Sequence, residues 1–313
     1  MKSTTPISVI THTRNSARTL PRMLETTGWA DERIIVDMSS SDNTAGMAAE
    51  AGCRVITIPP SDAVDAVRNS FLPEAKNTWI LVLDSDEYVA EDAQSGIEEL
   101  IARYGQTVDA FAIPRYNYIA GQVMRGSQWY PDQQIRLFRK GTVSWHAGHH
   151  RVPSLTTGRE RLQVLTPPKC LHIHHLNYEN LAVVIERQVR YAMSDVYDDD
   201  PDGFDFNTYV REAHAEMYRR FDPDKDGDLS VALATIMAWD RIIRGLIQWD
   251  RLGRRPALMP ALTLPVAVQA RPRGMLGIWL RARRHARRLA SRLLSRFPRR
   301  FQRMLRAALE ARL

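Results

Sequence analysis

The chain has 313 residues, 44% of them apolar, which is enough to bury a sizeable core and excludes disorder throughout. Two cysteines, Cys53 and Cys170, are too few for a disulfide framework or a cysteine zinc site, so a reducing, cytoplasmic setting is expected. The net charge of +7 is unevenly held: residues 271–313 carry 14 Arg against one acid, Glu310, a charge of +13 that leaves −6 on the rest.

The chain opens with a short β-rich run, Ile7 to Thr11, which is too brief for a signal-peptide core. No later stretch approaches the roughly 18 uncharged apolar residues of a membrane span, so neither secretion by that route nor integral insertion is expected. A helix over Thr19 to Thr26, a strand over Arg33 to Asp37 and a helix over Thr44 to Ala51, stopped by Gly52, follow. A strand over Arg54 to Ile58, a helix from Asp65 to Ala75 and a strand over Trp79 to Leu83 complete three strand-helix-strand units. That succession predicts an α/β fold with a mostly parallel sheet covered by helices on both faces. Ligands of such sheets sit beyond the carboxyl ends of the strands.

After a helix from Glu91 to Arg103 come shorter β-like runs, Ala110 to Pro114 and Gln134 to Phe138, with the texture of a mixed-sheet half. Helical periodicity returns over Leu181 to Tyr197, Asn207 to Phe221 and Leu229 to Leu252. Pro256, Pro260, Pro265 and Pro272 then mark a linker. The expected division is a nucleotide-binding-type domain over 1–177, a helical extension over 178–255, a Pro-rich linker over 256–272 and a basic tail over 273–313.

Asp84-Ser85-Asp86-Glu87 delivers three carboxylates to the sheet edge within four positions. Carboxylates this crowded repel unless a cation joins them, and magnesium or manganese would bridge them to a diphosphate. An acidic turn after a strand is the plainer alternative. Asp37 ends another strand of the same sheet and is read as facing a base or ribose, with Ser39 to Asn43 as turn and helix cap.

These segments resemble the family 2 glycosyltransferases of the GT-A fold, and within them the bacterial branch acting on lipopolysaccharide core. The resemblance rests on Ile7 through Asn15, Ile34-Ile35-Val36-Asp37 with Ser41 to Thr44, Arg68-Asn69, Trp79 through Glu87, and Trp129 through Lys140. It implies that Thr13, Asp37 and Arg68 hold a nucleotide, that Asp84 touches the ribose and that Asp86 ligates the metal. It also implies a late histidine ligand, for which His175 fits best, with His172 and His174 as competitors. Strand alternation would place His172 and His174 on one face and His175 on the other.

An inverting transfer needs a general base for the acceptor hydroxyl, and Asp132 is the candidate. Trp129 and Tyr130 are candidate platforms for a sugar ring, although packing is the commoner role of such residues. Two departures from the family pattern stand out: Ser16 where relatives carry Glu, and His149-His150-Arg151 where they carry a His-Glu pair.

Asp222-Pro223-Asp224-Lys225-Asp226-Gly227-Asp228 opens like a calcium-binding loop but has Leu233 where a bidentate Glu belongs, which favours a turn between helices. In the tail, Trp279, Leu289, Leu293 and Phe297 recur at helical spacing among arginines, the pattern of a helix lying on an anionic membrane surface. Nucleic acid is not expected to be the partner. The reading is an inverting, metal-dependent glycosyltransferase of cell-envelope synthesis using a UDP-sugar. A sugar-phosphate nucleotidyltransferase, or a non-catalytic protein acting through its tail, are the rivals.

Overall fold

The computed structural model describes residues 5–61, 64–146, 153–168, 170–195, 197, 200 and 202–253. Its first half runs β1 (Ile7–Thr13), α1 (Leu20–Thr26), β2 (Glu32–Asp37), α2 (Thr44–Glu50), β3 (Arg54–Thr57), α3 (Val64–Phe71), β4 (Trp79–Val82), β5 (Glu87–Val89) and α4 (Ala93–Tyr104). The second half runs β6 (Ala110–Ile119), β7 (Gln122–Val123), β8 (Asp132–Arg139), β9 (Val143–Ser144), β10 (Ser154–Leu155), β11 (Leu162–Val164), β12 (Ile173–Tyr178), α5 (Leu181–Ser194), α6 (Phe206–Arg220) and α7 (Pro223–Arg251).

The main sheet has the order β3-β2-β1-β4-β8-β6-β12-β5, with β7 and β11 also paired to β6. The four strands from β3 to β4 are parallel, as the alternation of strand and helix requires. Beyond β4 the sheet is mixed: β8 runs antiparallel to both β4 and β6, while β12 is parallel to β6 and antiparallel to β5. This is the GT-A type of α/β fold, with a helical region after the sheet.

All seven residues of β1 are buried, as expected of a central strand covered on both sides. Its side chains divide by period two: Ile7 and Val9 join Leu20, Met23, Leu81 and Phe111 in one core, and Ile10 joins Ile34, Val36, Ile80 and Phe138 in the other. The strand extends two residues past the expected Thr11, because pairing with β2 continues until Thr13 lies opposite Asp37.

Sequence periodicity missed β5, which starts at Glu87, directly after the acidic turn. From Val82 to Glu87 the chain reaches at most about 18 Å, whereas four flat interstrand spacings would separate β4 from β5 by about 19 Å. The turn closed by Glu87 N to Asp84 O shortens that reach, so the sheet curls and brings β5 back toward the carboxyl end of β4.

Asn180 caps α5 by accepting from Val183 N at 3.0 Å. Val184 of α5 and Leu233 of α7 pack with Ile119, Met124 and Tyr178, closing the helices over the end of β6 and β12. Described residues up to Phe204 and from Glu212 to Gly253 form one compact unit. Residues 205–211 belong to a second unit whose other members lie outside the described residues. The proposed linker, the basic tail and His149-His150-Arg151 also lie outside them. No described helix is long and apolar enough to cross a membrane.

Candidate functional site

The carboxyl ends of β1, β2 and β4, with α3 beside them, gather Thr13, Asp37, Arg68 and Asp84. Thr13 is buried and its Oγ1 has no partner. Asp37 Oδ2 accepts from Ser40 N at 3.0 Å and Oδ1 from Ser40 Oγ. Two of about four acceptor positions on that carboxylate are therefore spent on its own turn.

Guanidinium groups offset the charge of Asp84 and Glu87. Arg68 Nη2 reaches Asp84 Oδ1, and Arg136 Nη2 bonds both Asp84 Oδ2 at 2.5 Å and Glu87 Oε1 at 2.8 Å. Arg115 Nη1 donates to the same Glu87 oxygen at 2.6 Å, and Glu87 Oε2 accepts from Asp84 N at 3.0 Å. Burial alone would raise the Asp84 pKa, but Arg136 and Arg68 outweigh it and hold the carboxyl well below its ordinary range. Burial likewise opposes the charge on Arg136, and Asp84 and Glu87 overcome it, so its pKa is raised. Glu87 is fully buried and structural. Asp86 differs from Asp84 and Glu87 in facing an imidazole rather than a guanidinium.

Facing Asp86 is His175, with Nε2 at 3.7 Å from Asp86 Oδ2. Its tautomer follows from a chain of hydrogen bonds through Asn117 on β6. Asn117 Nδ2 donates to the carbonyl of Trp129 at 2.8 Å, which fixes the amide's orientation. Asn117 Oδ1 must then accept, and it lies 2.7 Å from His175 Nδ1. Nδ1 of His175 therefore carries a proton toward Asn117, and Nε2 is the ring nitrogen that faces Asp86. An imidazole nitrogen and a carboxylate oxygen facing each other are donors that a divalent ion accepts, with the second ring nitrogen anchored by an amide.

Among the described residues there is no group of three or more metal-ligating side chains. Asp86 and His175 would hold such an ion together with oxygens from a ligand. The other histidines are engaged elsewhere. His174 Nδ1 lies 2.9 Å from Tyr118 Oη and its ring stacks on Tyr88, while His172 Nε2 lies 3.0 Å from Tyr130 Oη. Burial lowers the pKa of both.

Asn117 Nδ2 also donates to Asp132 Oδ2 at 3.1 Å, so one amide links the candidate base to the candidate metal ligand. Asp132 further accepts from Arg115 Nε at 2.9 Å and Nη2 at 2.5 Å, and from Gln134 Nε2 at 2.7 Å. Burial would raise its pKa, but Arg115 and these bonds lower it, so Asp132 is ionised at neutral pH.

The two aromatic candidates are partly committed to the protein. Trp129 packs edge-on to Tyr178, with the Arg220 guanidinium 4.8 Å over its ring. Tyr130 precedes a cis peptide to Pro131 and spends a face on Tyr116, stacked at 5.0 Å. Burial pushes the Tyr130 phenol up to about 12, so it remains a hydrogen-bond donor.

Sequence reasoning passed over Arg115, Asn117, Arg136 and Asp226. Arg136 was visible as a lone charge inside the apolar alternation of Ile135 to Phe138. Asp226 stands in the segment that opens like a calcium loop and that the sequence favours as a turn. Its buried carboxylate instead accepts from Arg125 N at 2.6 Å, Gly126 N at 3.0 Å and Ser127 Oγ at 2.7 Å. It therefore staples the start of α7 to the loop before Trp129 and is not free for calcium. Gly227, at φ 61°, breaks the helix there, as a turn between helices requires.

A family model described as Glycosyl transferase family 2 matches residues 8–157. A TPR repeat-containing protein of Synechococcus elongatus is 35% identical over 119 residues, 37% of this chain and 29% of the relative. An uncharacterized glycosyltransferase of Rickettsia felis is 31% identical over 134 residues, 42% of this chain and 44% of the relative. The matches thus span less than half the length of these curated relatives.

Among solved structures, S. aureus TarS 1–349 in complex with UDP-GlcNAc aligns over 74% of this chain and 72% of its own, at 15% identity and a TM-score of 0.43. Glucosyl-3-phosphoglycerate synthase from Mycobacterium tuberculosis, in complex with Mn2+, UDP and glucosyl-3-phosphoglycerate, aligns over 40% of this chain and 46% of its own. Its identity is 18% and its TM-score 0.30.

Proposed function

We propose, on the match of residues 8–157 to glycosyl transferase family 2, that the chain moves a sugar from a nucleoside diphosphate sugar, a UDP-sugar first, to a hydroxyl of a glycan or lipid-linked acceptor. The observation that carries this reading is the array Asp86, His175, Asn117 and Asp132. His175, facing Asp86, and the Asp132 carboxylate meet opposite ends of the Asn117 amide, which supports a cation at the first and a base at the second.

In this reading Thr13, Asp37, Arg68 and Asp84 orient the nucleoside end of the donor, and Asp86 and His175 hold a manganese or magnesium ion. When bound, the ion supplies positive charge against the negative charge that builds on the departing diphosphate. Asp132 accepts the proton of the acceptor hydroxyl as that oxygen attacks the anomeric carbon from the side opposite the leaving group, which inverts the configuration. Asn117 keeps Asp132 and His175 in fixed relation, and Arg115 keeps Asp132 ionised. Trp129 and Tyr130 are the platform on which the donor's sugar ring lies.

An envelope role in lipopolysaccharide or a related polysaccharide, on the inner face of the cytoplasmic membrane, suits the Arg-rich tail. Liposome flotation of protein truncated at Arg271 tests that part: undiminished lipid binding would remove it. The central test is transfer or donor hydrolysis across a panel of nucleotide sugars, with and without manganese, for wild type and Asp86→Ala. Activity without metal, or an unaffected variant, would overturn the mechanism.

A further inference from the structure

The strand Ile7-Ser8-Val9-Ile10-Thr11-His12-Thr13 has an imidazole at a position its surroundings would fill with Val or Ile. His12 is 3% exposed, lies opposite Val36 in the parallel pairing and meets Phe71 edge to face at 5.9 Å. Both ring nitrogens are buried and neither has a hydrogen-bond partner. A neutral imidazole carries one donor and one acceptor, and leaving both unmet costs their full desolvation penalty.

Its neighbour Arg68 repeats the pattern. Arg68 Nε bonds Asp65 at 3.0 Å and Nη2 bonds Asp84, yet Nη1 is buried and unpaired. Arg68 is also close enough to His12 to bias its protonation, and so is Asp84. Two side chains in one region of the donor edge therefore hold unspent hydrogen-bonding capacity.

Resting on the glycosyltransferase reading, we infer that His12 recognises the nucleobase of the donor, one ring nitrogen meeting the polar edge of the base beside the free nitrogen of Arg68. The chemistry selects a neutral partner. Burial first, and Arg68 second, lower the His12 pKa to about 3, so the ring offers a phosphate no charge. A pyrimidine imide, with a carbonyl acceptor beside an N–H donor, matches what a neutral imidazole and a guanidinium N–H can satisfy together. A site built this way rejects ligands lacking those groups, because its own polar atoms are then left unpaired.

The test is calorimetric binding of UDP, CDP, GDP, ADP, ribose 5-phosphate and pyrophosphate to the full chain, as wild type, His12→Leu and His12→Gln. Thermal unfolding without ligand accompanies each. The expected result is that His12→Leu keeps or raises the melting temperature, since it removes an unmet polar group. It should weaken the tightest nucleoside diphosphate by about tenfold or more and leave pyrophosphate unchanged, and His12→Gln should recover part of the loss.

A purely structural histidine would instead lower the melting temperature in His12→Leu, and that outcome overturns the inference. So does equal weakening of pyrophosphate, or wild-type affinity in His12→Leu, which would point to an enclosed water as the partner. Wild type that binds no nucleoside diphosphate removes the glycosyltransferase reading and this inference with it. Normal wild-type binding with an unaffected His12→Leu removes this inference alone.

Discussion

His175 Nε2 stands 3.7 Å from Asp86 Oδ2, and the ring is oriented there from its other side by Asn117. If this pair holds the metal, Asp86→Ala and His175→Ala each weaken manganese binding in the presence of UDP by about 10- to 100-fold or more. Asn117→Ala weakens it by a smaller factor by freeing the tautomer. His172→Ala and His174→Ala leave it unchanged. Manganese titration followed by electron paramagnetic resonance reads all five.

Asp132→Asn should lower transfer by about 10² or more while nucleotide affinity stays at the wild-type level. The sign of the pH dependence follows from Arg115. A lowered carboxyl pKa means that Asp132 stays ionised as pH falls from 7 toward the ordinary carboxylate range, so no acidic limb from this group appears above that range. Arg115→Met removes the neighbour that lowers the pKa and moves the acidic limb of kcat upward.

Arg136→Met leaves the fully buried Glu87 with Arg115 as its remaining guanidinium partner and strips Asp84 of one. Breaking a buried ion network from one side costs about 3–5 kcal/mol. Urea unfolding of the variant should show that loss as a lower midpoint with an unchanged slope.

His12 gives stability a pH dependence above the carboxylate range. Its folded pKa of about 3 lies below the unfolded 6.5, so below pH 6.5 the unfolded chain binds a proton that the folded chain refuses. Stability is unaffected above that value and falls as pH drops, by up to about 1.4 kcal/mol per pH unit for one group. His12→Leu should flatten the decline between pH 6 and 4.5. His172 and His174 shift in the same direction, so the comparison is the difference between variant and wild type.

Asp226→Ala leaves two backbone N–H groups and the Ser127 hydroxyl without their acceptor, a loss of about 3 kcal/mol in unfolding free energy. Calcium added to wild type should leave the melting temperature unchanged, since the carboxylate that would serve as a ligand already accepts three hydrogen bonds.

The parallel half of the fold was legible because each of its strands is an apolar run flanked by Gly, Asn or Asp, and each helix shows 3.6-residue periodicity. β5 was not, because a three-residue strand directly after a turn has no periodicity to read. The carboxylates were visible as a cluster, but their different roles were not. Separating Asp86 from Asp84 and Glu87 required knowing where Arg68, Arg115 and Arg136 arrive, and those partners lie 16 to 52 residues away in sequence. His175 was identified ahead of its neighbours by spacing and family likeness. The physical reason for preferring it, the Asn117 amide, came from a strand about 60 residues earlier.

The family match ends at residue 157, yet β12, formed by residues 173–178, lies inside the sheet between β6 and β5 and brings His175 with it. The start of α7 then fastens the loop that leads into Trp129. A chimera joined at the end of the matched region would pair β6 and β5 with a foreign strand in place of β12 and exchange only part of the site. In the glycosyltransferase reading, donor and acceptor preferences should therefore move together when the exchanged segment runs from β1 into α7.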